Sequence, residues 1–301
     1  EVRIAAAKAD LYGFKPSYGM VSRLGLIGLV PSMECYGMTA KSLRDIIAVM
    51  GIISGKDAND FSQAEETAPD FSKASHPEGI SPVIGVINEC IAMLNDPETR
   101  AFKAGLAKLE QAGCAVRKIS MERFGLFRSV HNVIGSVEAS SSAGKYDGVR
   151  YGRRVPSSKN WNEMYLNTRG ESFGSLIKTY LFQGAYFQYE NYGAFENACR
   201  IRRRLAEDMA KIFERVDFLA FPTRRLQRDA ANADTISDTY DAFEFTLPSN
   251  VTGYPALQMP SLALDSDTDV GLQLLASRFG DVRLLAEGVR ISGMVKGGLE
   301  S

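Results

Sequence analysis

Apolar positions along this chain change their spacing several times, and each change marks a new element. From Pro82 to Asn88 the sequence reads Pro-Val-Ile-Gly-Val-Ile-Asn. A β-branched run without polar alternation predicts a buried strand. Asp96-Pro97-Glu98 then supplies an acid at the cap, a proline at the first helical position and an acid in the first turn. Phe102, Leu106 and Leu109 recur at helical spacing, and Gly113 closes the helix. Ala115 to Ile119 predicts a second strand. Strand, helix and strand of these lengths form a crossover, so the class is α/β and part of the sheet is parallel.

The same reading extends outward. Leu43, Ile46, Ile47 and Met50 predict a helix over Thr39–Met50 with Thr39 as its cap. Gly13, Pro16 and Gly19 predict turns between short strands or coil. Two more helices are expected at about 174–188 and 192–215, with short buried strands at Asp217–Phe221 and Val270–Leu275. Asp57 to Ser81 is polar and carries Pro69 and Pro77, which predicts a surface loop and the best place for an internal boundary. No internal repeat is visible.

Composition narrows the class. The 301 residues are 45% hydrophobic and 24% charged, which is globular, and the length fits one large domain or two medium ones. Lys and Arg number 35 against 36 Asp and Glu, so no net field favours nucleic acid. The uncharged run Leu24–Met33 contains Pro31 and is about half the length of a spanning helix. The opening residues Glu1-Val2-Arg3-Ile4 do not read as a signal peptide, and Cys35, Cys90, Cys114 and Cys199 are widely spread. A reducing, cytoplasmic setting is the expectation.

Candidate chemistry is sparse. His76 and His131 lie far apart and no cysteines have ligand spacing, so no metal site is expected. His131, in an apolar context, reads as a core or interface residue. No nucleotide-binding glycine motif occurs, and no cofactor is implied. Ser-x-x-Lys occurs at Ser142–Lys145 and Ser175–Lys178 without its companion motifs, and Asn250-Val251-Thr252 is a sequon without other signs of secretion. On the helix after Tyr192 the apolar stripe is Phe195, Cys199, Leu205, Met209 and Ile212. Arg202 falls on that stripe, whereas Arg200, Arg203 and Arg204 read as a solvated face. A guanidinium there needs an anionic or carbonyl partner. An internal acid and a carboxylate-bearing ligand both remain open.

Gly13-Phe14-Lys15-Pro16-Ser17-Tyr18-Gly19-Met20-Val21-Ser22-Arg23-Leu24-Gly25-Leu26 resembles the segment just after the nucleophile of the amidase-signature family. Pro31-Ser32-Met33-Glu34-Cys35-Tyr36-Gly37 is similar to that family's Ser-Leu-Asp-x-x-Gly stretch. Further likenesses follow in order: Val83–Ile119, Tyr146–Gly152, Thr168–Gly174, the Arg202 helix, Phe218–Thr223, Pro248–Gly253 and Gly271–Leu274. They span nearly the whole chain and look most like the branch of the amidotransferase A subunits. The resemblance implies a single α/β domain, 1–301, around a mixed, partly parallel sheet with helices on both faces. It also implies amide hydrolysis or ammonia release by a serine, a second serine on a cis peptide and a lysine.

The departures carry their own expectation. Aligned on Gly13–Pro16, Glu1 occupies the nucleophile position, and the lysine and cis-serine belong upstream of it. The chain is therefore expected to be inert by itself, with no catalytic residue. The alternatives are a fragment of an active amidase or amidotransferase subunit, and a carboxylate-binding or scaffold module. The resemblance assigns Tyr151 and Arg202 to substrate binding. The family acid that holds an α-amino group aligns with Phe243, between Asp241 and Glu244. A small carboxylate or amide ligand, and a second copy or partner subunit, are the expected partners; nucleic acid and membrane are not.

Overall fold

The computed structural model describes residues 2–64, 69–75, 81–156, 158–226, 228, 230–260 and 270–297. Its first half runs α1 (Val2–Lys8), β1 (Tyr12–Lys15), β2 (Met38–Ala40), α2 (Leu43–Ile53), β3 (Val83–Ile87), α3 (Asn88–Ile91), α4 (Asp96–Gln111), β4 (Ala115–Ile119) and α5 (Leu126–Ser142). The second half runs α6 (Trp161–Ser172), α7 (Ser175–Tyr189), α8 (Tyr192–Phe213), β5 (Phe218–Pro222), α9 (Ile236–Phe243), α10 (Leu247–Thr252), β6 (Ala256–Met259), β7 (Leu272–Leu275) and α11 (Asp281–Gly297).

The seven strands form one sheet in the order β2-β1-β6-β7-β5-β3-β4. β3 pairs parallel with β4 and β5, and the other neighbours pair antiparallel. The sheet is mixed and partly parallel, as predicted. Alternate residues feed two cores. Ile84, Val86, Phe218, Ala220, Leu257 and Leu274 pack with α2, α4 and α11. Ile87, Leu219, Phe221, Ala256 and Leu275 pack with α5, α8 and α10. Strands buried on both faces carry continuous apolar runs, which is why β3 was legible. Among the described residues no helix is long and apolar enough to cross a membrane.

Three local expectations change. Thr39 is not a helix cap: Met38–Ala40 pairs with β1, and α2 starts only after Ser42, whose hydroxyl accepts the Asp45 amide at 3.2 Å. The cap of α4 is Asn95 rather than Asp96, in a reciprocal capping box with Glu98. Asp57–Ser81 is not simply a surface loop, because a 3-10 turn at Phe71–Ser75 buries Phe71 and Ala74 in the core beside α2 and α11. The uncharged stretch that begins at Phe245 is divided between α10 and β6 by a turn at Gly253, whose φ is +75°.

Candidate functional site

Arg3 enters the site from α1 and reaches Gln273 of β7. Its Nη1 donates to Gln273 Oε1 at 2.6 Å, and Nη2 donates to Asn250 Oδ1 at 2.6 Å and to the Thr246 carbonyl at 3.0 Å. Gln273 is itself fixed, donating to the carbonyls of Phe245 and Pro222. Arg3 is 2% exposed, and its described partners are neutral oxygens rather than a carboxylate. Burial draws its pKa down to about 10.

Lys15 closes β1 beside it. Its ammonium is buried and donates to the Pro16 carbonyl at 2.9 Å, with Cys35 Sγ 3.9 Å away. Burial lowers its pKa, and nearby Arg3 adds to that, while the Cys35 thiol opposes it. Glu34 folds back on its own segment: Oε1 accepts the Leu29 and Val30 amides at 2.7 and 2.6 Å.

These groups line a cavity of about 530 Å3. Its opposite wall comes from α5, α7 and α9. Tyr240 bridges His131 Nδ1 at 2.9 Å and the Tyr180 hydroxyl at 3.1 Å. Burial, with the Arg202 charge adding to it, lowers the His131 pKa to about 4, so the imidazole is neutral near pH 7. Burial raises Tyr180 to about 12 and Tyr240 further, which keeps both phenols protonated. Leu176, Ile177, Ile236 and Phe243 complete this wall. Chemically, the cavity combines two buried cations with a chain of neutral hydroxyls. That suits an oxygen that is polarised or gains charge.

The two residues expected to bind substrate are not brought together here. Arg202 donates from Nε to the Val251 carbonyl and from Nη1 and Nη2 to the Ser32 hydroxyl and carbonyl, all at 2.8 Å. Its partners are thus carbonyls and a hydroxyl, and the nearby Glu138 takes the Ser32 amide at 2.9 Å. Tyr151 is 44% exposed and borders a separate hollow with Tyr146 and Phe173. On α8 the buried stripe runs through Ala198, Leu205, Met209 and Ile212, whereas Cys199 faces out. Arg200, Arg203 and Arg204 do lie in solvent, paired with Glu196 or Glu207.

Of the remaining candidates, the two Ser-x-x-Lys pairs fall away from the cavity, whereas Asn250 lines it. Lys145 donates to the Gly28 carbonyl and Lys178 to the Gly170 carbonyl, so neither Ser-x-x-Lys pair lines it. Asn250 sits in α10 and serves Arg3. Glu1 and His76 lie outside the described residues, among which no cluster of metal-ligating side chains occurs. Sequence reasoning missed Arg3, Lys15, Cys35, Tyr180 and Tyr240 as a group. They come from separate elements that only the folded chain brings to one wall.

Comparison with known proteins places this geometry. A family model described as Amidase matches residues 2–285. The A subunit of glutamyl-tRNA(Gln) amidotransferase from Thermosynechococcus vestitus is 32% identical over 282 residues, covering 92% of this chain and 58% of that protein. Its counterpart in Moorella thermoacetica is 33% identical over 294 residues, covering 94% and 59%. The crystal structure of the Thermotoga maritima counterpart superposes with a TM-score of 0.72 at 24% identity, covering 95% of this chain and 58% of that one. A 6-aminohexanoate cyclic dimer hydrolase gives 0.75 at 22%, covering 98% and 62%. The chain thus spans about three-fifths of the length of these proteins.

Proposed function

The chain belongs to the amidase family, and from that premise we propose that the cavity between α1 and α9 binds the amide group of a small substrate. The observation that carries this reading is the pair of buried cations, Arg3 and Lys15, in a cavity whose other lining groups are almost all neutral. Fixed positive charge in a dry site stabilises a carbonyl oxygen far better than water would. The described lining residues include no serine, and their one lysine is held by the Pro16 carbonyl. Residues 2–297 alone are therefore proposed to bind an amide without hydrolysing it. Arg202 acts as a positioning residue, since it ties Ser32 to Val251 and so sets the segments that carry Met33, Cys35 and Asn250. Tyr151 makes no substrate contact in this reading.

Cys35 provides the test, because it lines the cavity while Cys90 and Cys114 are buried elsewhere. A small neutral amide should slow methylthiolation of Cys35 by methyl methanethiosulfonate, read by peptide mass spectrometry, and the purified chain should release no ammonia from it. Unprotected Cys35 at saturating amide, or ammonia release lost on substituting a single residue, would defeat the respective half of the proposal.

The relatives are named as subunits, and we propose that this chain too is covered by another protein surface, a second copy of itself. Phe182, Tyr186 and Tyr189 on α7 and Tyr192 at the start of α8 are all more than half exposed. A row of aromatic rings in water is a common mark of an interface.

A further inference from the structure

The two walls of the cavity differ in kind. The wall from α1 and β1 carries the cations; the wall from α7 and α9 carries Leu176, Ile177, Ile236 and Phe243. Among the described residues no carboxylate opens on the second wall. On either side of Phe243 the acids turn away, Asp241 to Arg128 at 2.5 Å and Glu244 to Arg225 at 3.1 Å. Among the described lining residues Glu34 is the one acid, and it is shut. Its Oε1 is taken by two backbone amides, and its Oε2 is buried against Gly28, 3.9 Å from Arg23. His131 adds no charge near neutrality.

An ammonium entering this space would lose its water, meet two buried cations and find no open acid among the described lining residues to pair with. A phenyl or branched alkyl group would instead exchange water for the apolar wall, at a gain that grows with each buried carbon. We propose that the substrate is an amide with an apolar, aromatic or branched aliphatic body and no α-ammonium group, rather than glutamine or another amino-acid amide. The proposal rests on the amide-binding reading above and adds the class of substrate to it. The amide is oriented with its carbonyl towards Arg3 and Lys15 and its body against Phe243 and Ile236, with the Tyr180 and Tyr240 hydroxyls as neutral partners for the amide nitrogen or a further oxygen.

A matched pair of probes isolates the charge. 3-Phenylpropionamide and L-phenylalaninamide differ by a single ammonium, which is present at about pH 6. Calorimetry on the purified chain is expected to show the first binding at least about tenfold more tightly than the second or than L-glutamine. Protection of Cys35 from the thiosulfonate places the binding in this cavity. Phe243→Asp should shift the ratio back towards L-phenylalaninamide by about tenfold, with folding checked by circular dichroism. If that variant does not fold, Leu176→Trp, which fills the apolar wall without adding charge, should weaken 3-phenylpropionamide by about tenfold. Equal or tighter binding of L-phenylalaninamide or L-glutamine, with Cys35 protected, overturns the substrate class and leaves the amide reading standing. Failure of every amide to protect Cys35 overturns the amide reading itself.

Discussion

Arg3 sits in the site with three neutral oxygens around it and a backbone helix behind it. Truncation would strand Gln273 Oε1, Asn250 Oδ1 and the Thr246 carbonyl, each worth about 1–3 kcal/mol when buried and unpaired. Arg3→Ala is expected to lower stability by about 3–5 kcal/mol in urea titrations, and Arg3→Lys to recover part of it. A loss below about 1 kcal/mol would mean that water replaces the guanidinium without cost. His131 makes a different forecast. Its folded pKa of about 4 lies below the ordinary 6.5, so the neutral ring contributes stability above pH 6.5 that is lost as pH falls towards 4. The loss is at most about 3 kcal/mol, reduced by partial exposure. His131→Asn should accordingly lose less stability than the parent between about pH 7 and 4; parallel curves would contradict the assignment. His131 was legible as a packed residue, but its place on a cavity wall was not, since Tyr240 lies over a hundred positions away. Arg202 could be placed on a buried stripe from spacing alone. Its partners could not, because backbone carbonyls leave no mark in sequence.

Among the elements, α7 decides the shape of the cavity, and it lies against α5 through Gly184. A side-chain carbon added there would land on the Ser136 carbonyl and press on Ser140. Alanine in place of a helical glycine ordinarily stabilises by up to about 1 kcal/mol. Here backbone overlap should win, at about 1–3 kcal/mol. Gly184→Ala is expected to lower the melting temperature and weaken amide binding together, since Leu176, Ile177 and Tyr180 ride on the displaced helix. A stabilised variant would show that the helices separate freely. Element by element, legibility tracked local signal. β3, α4 and β4 were plain from apolar runs and capping chemistry, and β5 and α8 from their stripes. β2 was hidden inside a helical pattern because its three residues are held by β1 rather than by their own propensity. β6 was missed because buried Gln258 interrupts it, paired with Thr223 on the neighbouring β5–β7 side.

At the scale of the molecule, two surfaces compete to meet a second copy. The outer strand β4 exposes Arg117 and Lys118, and charges on an edge oppose further pairing. The aromatic row on α7 and α8 presents four rings, all more than half exposed, with Glu190 as the charge among them, so association is expected there. Light scattering should give a dimer or larger species, and Phe182→Glu with Tyr189→Glu should return a monomer without loss of helix content. A parent chain that stays monomeric at high concentration would remove the proposal.

The position of β1 in the sheet has a consequence for how the protein is made. Gly13 pairs with Gln258, and Ser17 donates its amide and its hydroxyl to the Asp281 carboxylate, so β1 is completed by residues far later in the chain. On a ribosome adding about 5–20 residues per second, β1 and β2 must wait on the order of ten seconds or more for β6 to emerge. During that interval Tyr12 and Phe14, both buried in the completed sheet, have neither β6 nor α11 to cover them. The βαβ unit of β3, α4 and β4 closes on local contacts and needs no such delay. Synthesis should therefore yield a nascent chain in which the β3–α4–β4 unit is ordered while β1 still waits for β6 and α11, a window in which chaperones have their opening.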